Sequence, residues 1–410
     1  MSFTPTERRL LALLAIAQFS HIVDFMILMP LGPQLMRTLA IDPHEYGLLV
    51  SIYTLSAALA GFLSAGVMDR FDRKRAFQVV YLGFAVGTLC CALGSSYVPL
   101  LIARAVTGAF GGVLNSLVLA IVGDKIPHER RGAAMGVIMT AFSVASIVGV
   151  PTGLFLATTF SWQAPFITLG VFSLLVSVPV HLFIPPVKEH LWQVRSESKF
   201  APFRRVVADP NQTRAVILIF CLMLAGFTVI PFLSPSMVLN GGLAESRLSL
   251  IYLVGGGVSI VSGPLIGRLA DRFGTRRIFQ TMAALSIFPI LIVTNLGPTP
   301  EWGMLLLAAT LFICLSGRMI PAQALITSTV SPQFRGGFMS IVSGVQQSGA
   351  ALGSYIAGLM IERSPSGELL YYSHVGLVSV ACAVLAMFVA AGIKPLREAP
   401  SSAQQDGAGA

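Results

Sequence analysis

DRFDRKR at Asp69–Arg75 and DRFGTRR at Asp271–Arg277 are two copies of one heptapeptide, 202 residues apart, each set between two long apolar runs. A run of about 20 apolar residues crosses the hydrocarbon core of a bilayer as a helix, so each heptapeptide reads as a tight turn between consecutive membrane spans. A second pair keeps the register: Arg131-Gly132-Ala133-Ala134-Met135 returns as Arg335-Gly336-Gly337-Phe338-Met339 after 204 residues. Half of the chain is therefore repeated. Two duplicated membrane halves facing each other are how many secondary transporters build a central binding cavity.

The composition allows little else. Of 410 residues, 55% are hydrophobic and 11% charged, with a mean hydropathy of +0.79, whereas soluble domains carry about 25% charged residues. Cys90, Cys91, Cys221, Cys314 and Cys382 all lie inside apolar runs, with neither metal-ligand spacing nor a disulfide framework, and read as small packing residues. No metal is expected.

Breaks rich in charge, Pro or Gly divide the chain into twelve candidate spans, at about 10–36, 46–68, 76–95, 99–122, 133–157 and 163–186, then 214–238, 247–270, 278–296, 302–328, 336–361 and 371–393. The expected fold is an all-α integral membrane protein whose twelve transmembrane helices form two six-helix pseudo-symmetric halves, 1–186 and 214–398, around a central cavity. The run from Leu10 lacks a small-residue cleavage site and reads as the first span rather than a removable signal peptide. Residues 187–213 mix charge with Leu191, Trp192, Phe200, Phe203, Val206 and Val207, as an interfacial amphipathic linker does. The tail 399–410 is small and polar, and disorder is expected there.

Orientation follows from the basic residues. With the N-terminus in the cytoplasm, 22 of the 27 Lys and Arg fall on that side, and only Arg37, Arg247 and Arg363 fall outside. Under the positive-inside rule this places a multi-pass protein in the plasma (inner) membrane with both termini cytoplasmic. The net charge of +9 is then a matter of topology and contact with anionic lipid. Nucleic-acid binding needs a soluble basic face, and no such domain is present.

Over nearly its whole length the chain resembles the major facilitator superfamily, in particular the twelve-helix drug:proton antiporter and sugar-efflux (arabinose efflux permease-like) branch. That family's loop between helices 2 and 3 reads G-x-L-A-D-R-x-G-R-[KR]; Asp69, Arg70, Arg73 and Lys74 match, while Ala65 and Asp72 replace the two glycines. The later copy is nearer the pattern, through Gly267, Leu269, Ala270, Asp271, Arg272, Gly274, Arg276 and Arg277. The resemblance implies a conformational latch at Asp69, Arg70, Arg73, Asp271 and Arg272. Physically, a carboxylate at one helix end can meet the positive N-terminus of a helix in the other half, and the contact breaks when that face opens. A second signature is Arg104 with Gly108, Gly111 and Gly112 in span 4. Span 5 carries Ala145, Gly149 and Gly153, and span 11 carries Gly349, Gly353 and Ala357 at the same offset of 204. Small residues at this spacing let helices pack closely. The family's exporters have Gly-Pro in helix 5; this chain has Gly149-Val150-Pro151-Thr152-Gly153.

Of the 18 acidic residues, Asp24 alone lies near the middle of a span. A carboxylate in low dielectric, with a cation near it, can take up and release a proton reversibly. Gln18 and His21 precede it at steps of three and share its helix face. Arg104 is the candidate partner; depth counting leaves the two roughly two turns apart, a gap that the long arginine side chain or the Pro30/Pro33 break could close. Asp24, His21 and Arg104 are thus the proton-coupling candidates. Gln18, Asn115, Arg318, Gln323, Gln346 and Gln347 are the candidate cavity residues, and Arg318 could meet either an anionic substrate or a helix-end carbonyl. No G-x-x-x-x-G-K-[ST] loop, zincin spacing or intramembrane Ser–His pair occurs, so an enzyme is not expected. The expected function is proton-coupled efflux of a small organic solute or drug by alternating access in a monomer. It would need no cofactor beyond the proton gradient, and its partners would be the solute, protons and lipid. A proton-independent facilitator or importer of the same fold, or a non-transporting membrane receptor, shares every feature except the need for Asp24.

Overall fold

The computed structural model describes residues 3–64, 71–127, 130–187, 201–331 and 334–394. The first half runs α1 (Pro5–Ile27), α2 (Gly32–Thr38), α3 (Pro43–Ser64), α4 (Arg73–Leu93), α5 (Tyr97–Lys125), α6 (Arg131–Val144), a π-helical turn (Ala145–Gly149), α7 (Val150–Thr159) and α8 (Ala164–Phe183). A linker helix, α9 (Ala201–Ala208), leads to the second half: α10 (Pro210–Leu239), α11 (Leu248–Phe273), α12 (Thr275–Thr294), α13 (Glu301–Thr327), α14 (Arg335–Met360) and α15 (Tyr372–Ala391). Eleven spans, counting α6 to α7 as one, are long and apolar enough to cross a membrane. The remaining long helix, α14, has 26 residues but carries Gln346, Gln347 and ten serines or glycines on its way. Lipid-facing surfaces expose Leu63, Leu93, Val261, Trp302 and Phe388.

Local sequence sets the helix ends. Thr4 and Glu7 form a capping box at the start of α1, behind Pro5, and Glu7 also holds Arg130 through two hydrogen bonds of 2.7 and 2.9 Å. Asp72, which departs from the family's glycine, caps α4 by accepting from the Lys74 and Val187 amides, 3.0 Å each. Asp209 caps α10, and Gly274 turns α11 into α12 at a φ of 95°.

Proline explains where spans depart from straight helices. The run expected at 10–36 is broken: α1 ends at Ile27, a turn carries Pro30, and α2 starts with Pro33 at its second position. In the fifth span the π-helical turn lies just before Pro151, whose missing N–H would leave a carbonyl of a regular helix unpaired. In α10, Pro231 and Pro235 release the carbonyls of Phe227 and Pro231, four residues earlier. Ser354 of α14 lies 3.5 Å from the first, and the Tyr46 hydroxyl of α3 donates to the second at 3.0 Å. A two-stranded antiparallel hairpin, β1 (Glu362–Arg363) with β2 (Leu369–Leu370), interrupts the otherwise helical chain, and Asn240 holds it at Leu369. The linker helix α9 buries Val206 in the second half and leaves Phe203 and Val207 exposed; residues 188–200 and the tail 395–410 lie outside the described residues.

The halves meet mainly through α3 on α14, α7 with its π turn on α11, and α10 on α2. Toward the ends that carry Pro5, Lys125 and Ile393 (the terminal face), each half has its own hydrophobic core, one built from Leu10 to Val187 and the other from Val206 to Ile393. Toward the opposite, far face a single core runs through both halves and includes Ile27, Tyr46, Leu49, Phe232, Tyr252 and Tyr372. Gly47 and Gly358 touch there: a Cβ added to Gly47 would fall 2.7 Å from the Gly358 Cα.

Candidate functional site

The polar face of α1 points into the first half. Gln18 donates to the Asn115 side-chain oxygen on α5 at 3.0 Å. One turn on, His21 is buried against Tyr53 and Phe84, with ring centroids at 6.3 and 6.0 Å, and neither ring nitrogen has a hydrogen-bond partner. Gly111 makes room for it, since a Cβ there would lie 2.6 Å from the imidazole. Asp24 is fully buried. Its Oδ2 accepts from Arg104 Nη1 at 3.0 Å, its Oδ1 from the Thr88 hydroxyl at 3.2 Å, and its backbone carbonyl from the same Nη1 at 3.2 Å. The Arg104 guanidinium lies over the Tyr53 ring at 4.1 Å, a cation–π contact.

Asp24 and Arg104 are therefore in direct contact, not two turns apart. The count from the sequence failed because α1 ends three residues after Asp24, and Leu28–Thr38 supply the remaining depth as a turn and α2. Arg104, eighth in α5, stands level with it. Four helices meet at this pair: α1, α3 through Tyr53, α4 through Thr88, and α5. Tyr53 and Thr88 escaped sequence reasoning because hydroxyl groups in apolar spans are common and give no signal until the helix phases are known.

Glycines set these distances. A Cβ on Gly108 would fall 2.3 Å from the Tyr53 carbonyl, and one on Gly112 2.2 Å from that of Ala57, so α5 rides directly on α3. Gly149 and Gly153 press on Val23 and Ile27 of α1, with Pro151 between them, and Gly349 and Gly353 press on the α10 backbone at Phe220 and Leu224. The repeated small-residue stripe thus packs span 5 on span 1 and span 11 on span 7.

In the second half Arg318 is buried and donates to Ser286 at 3.2 Å. Gln323, Gln346 and Gln347 are half-buried and hydrogen-bond neither to Arg318 nor to the Asp24 cluster.

Among the described residues, Arg73, Asp271 and Arg272 of the expected latch are not brought together by any contact shown. Asp69 and Arg70 lie outside the described residues. Arg73 pairs with Asp124 of its own half at 3.2 Å. Asp271 and Arg272 are exposed on the terminal face, Arg272 over its neighbour Phe273. The charged contact that does bridge the halves lies on the far face, where both Arg37 guanidinium nitrogens Nη1 and Nη2 reach the Glu245 carboxylate, Nη2 at 3.1 Å from Oε2. Beside it, Tyr46 bridges to the Pro231 carbonyl and packs on Phe232. Neither contact was foreseen: Arg37, in the last turn of α2, and Glu245 lie 208 residues apart, with no local pattern to pair them.

Comparison with known proteins agrees with this architecture. The chain is 27% identical over 387 residues to the MFS-type transporter YwfA of Bacillus subtilis (strain 168), covering 92% of this chain and 90% of that one. It is 22% identical to a probable sugar efflux transporter of Mannheimia succiniciproducens, over 85% of this chain and 86% of the relative. In structure it is similar to a bacterial homologue of the human lysosomal transporter Spinster, captured inward-facing and occupied, with a TM-score of 0.76 at 17% identity over 97% of this chain and all of that one. The family model described as Major Facilitator Superfamily matches residues 14–260 and again 215–410, once for each half with overlap. With a twofold-repeated helical bundle, an arginine-bearing fourth span on glycine-packed neighbours and these matches across both halves, the chain belongs to the Major Facilitator Superfamily.

Proposed function

We propose that the chain is a secondary active transporter that exports a small organic solute in exchange for protons, by alternating access in the plasma (inner) membrane. The observation that carries this reading is the buried Asp24–Arg104 pair at a four-helix junction. Protonating Asp24 removes the charge from one side of that pair and frees α1 to move against α5. Breaking a buried pair from one side costs about 3–5 kcal/mol, comparable to the differential needed to change which face of a transporter is open. One pH unit across the membrane is worth about 1.4 kcal/mol per proton, a roughly tenfold solute gradient at one-to-one exchange.

The basic residues support an orientation in which the terminal face, with 22 of the 27 Lys and Arg, is cytoplasmic. The far face is then external, and it is sealed by the shared core, Tyr46, the Gly47–Gly358 contact and the Arg37–Glu245 pair, while the cytoplasmic cores are separate. That is the inward-facing member of an alternating-access cycle. The exposed Asp271 and Arg272 fit a cytoplasmic latch that is disengaged in this state. Both halves and the Asp24–Arg104 pair belong to one chain, so this reading needs only a monomer, and its energy source is the proton gradient rather than a cofactor.

The test is solute movement in proteoliposomes screened over sugars, nucleosides and cationic dyes, with and without an imposed pH gradient. Asp24→Asn should abolish gradient-driven accumulation while exchange at equal pH survives. Gradient-driven accumulation at the wild-type rate per folded molecule in the variant would overturn coupling through Asp24, and solute movement indifferent to the pH gradient in the wild type would replace the antiporter with a proton-independent facilitator.

A further inference from the structure

Arg318 is the buried arginine of the second half as Arg104 is of the first, although by the repeat offset of 202–204 it lies ten to twelve residues further along its helix. Each sits on the fourth span of its half and reaches the third: Arg104 shares a carboxylate with Thr88 of α4, and Arg318 donates to Ser286 of α12. In the first half the pair is completed by Asp24 on α1. On α10, the repeat of α1, no carboxylate answers, and Arg318 has no ion pair among the described residues although it is only 2% exposed. Opposite its guanidinium stands Gly226. A Cβ built there would find Arg318 Nη2 and the Ile230 side chain at 3.7 Å and nothing nearer, which is ordinary contact without a clash. Most buried glycines of this chain are crowded instead, with Gly108, Gly112, Gly149 and Gly153 all below 2.5 Å by the same measure. The open place adjoins the seam between the halves, because the next residue, Phe227, packs on Phe25 of the first half at 5.8 Å.

A guanidinium stays charged, and in a membrane interior it is stable only beside a counter-charge or water. We infer that the space between Gly226 and Arg318 receives the anionic group of the transported solute, and that the solute is a small organic acid whose carboxylate replaces the missing acidic side chain. Planar carboxylates suit the guanidinium fork, and Ser286 fixes its orientation. This assignment of substrate class rests on the transporter reading above. It sets the two arginines apart: Arg104 is neutralised by the protein, and Arg318 by the cargo.

The experiment uses the full chain in nanodiscs, with benzoate as the probe and sodium chloride and tetraphenylphosphonium as comparators, read by thermal stabilisation and equilibrium binding. Benzoate should stabilise the wild type, with chloride and tetraphenylphosphonium inert. Arg318→Gln should weaken benzoate binding at least about tenfold. Gly226→Asp, which supplies the carboxylate from within, should abolish benzoate binding and yet raise the melting temperature above that of the wild type, an outcome that misfolding could not produce. Stabilisation by chloride alone would make the site an inorganic counter-ion site and overturn the inference. So would benzoate binding that persists in both variants, or its absence in the wild type. Labelled benzoate counterflow in proteoliposomes separates the two levels: binding at Arg318 without counterflow would leave the site standing and sink the transporter reading, whereas counterflow of a neutral or cationic solute without benzoate binding would do the reverse.

Discussion

Replacing Tyr46 by Phe removes one oxygen atom from the seam and should tip the whole molecule. Pro235 has no N–H, so the Pro231 carbonyl has no helical donor, and the fully buried Tyr46 hydroxyl of the other half reaches it at 3.0 Å, sharing its proton with the Met29 carbonyl of its own half, which also accepts from the Gly32 amide. Phenylalanine keeps the edge-to-face contact with Phe232, 5.3 Å between centroids, so packing is nearly unchanged. The carbonyl is left buried and unpaired, at a cost of about 1–3 kcal/mol. This cost exists only while the far face is shut, because an open far face hydrates the carbonyl. The ratio of far-side-closed to far-side-open molecules should therefore fall by about 5- to 150-fold. Spin labels at Thr38→Cys and Ser246→Cys, both exposed and on opposite halves, report the change as a longer population in pulsed electron resonance once the five native cysteines are replaced. Tyr372→Phe is the control: its hydroxyl donates to Val229 within one half at 2.8 Å, and its loss should lower stability without altering the distance. An unchanged distance distribution in folded Tyr46→Phe would refute the reasoning.

The same labels check other contacts. Gly47→Val drives a side chain into the Gly358 backbone, which cannot yield as a side chain could, so the far-side distance should lengthen at a cost of about 1–3 kcal/mol to the closed form. Glu245→Gln should have a smaller effect, about 0.2–1 kcal/mol at low ionic strength, because the side chains of the pair are 61% and 25% exposed, and strong salt should erase the difference from wild type. Gly112→Val, with its Cβ 2.2 Å from the Ala57 carbonyl, should lose folded protein in any state, whereas Gly257→Ala, with open space around it, should match the wild type in melting temperature or exceed it by the equivalent of up to about 1 kcal/mol.

The architecture was legible because bilayer spans are long and the two basic heptapeptides fix their register; the predicted ends fall within a few residues of most observed helices. Proline decided the one helix whose expected bounds were far off. Pro30 and Pro33 shortened α1 and shifted Asp24 relative to Arg104, converting an apparent gap of two turns into an ion pair. Asp24, Arg104, Gln18 and Asn115 stood out as polar groups inside apolar runs, and the structure joins them in two contacts. The far-face seal could not be read at all. Tyr46, Arg37 and Glu245 acquire their roles only from a neighbour about 200 residues away, and no local pattern marks such a partner. The latch motif was conspicuous in sequence, yet Asp69 and Arg70 lie outside the described residues and Asp271 and Arg272 are exposed.

The measurement that reaches the central claim most directly needs no solute. In nanodiscs, the distance between labels at positions 38 and 246 is followed on acidification in the wild type and in Asp24→Asn. Protonating Asp24 removes a charge-assisted contact from the far-side-closed state, so acid should lengthen the distance in the wild type, while the variant should show one distribution at every pH. A pH response that survives in Asp24→Asn, or none in the wild type, would contradict proton coupling through this carboxylate.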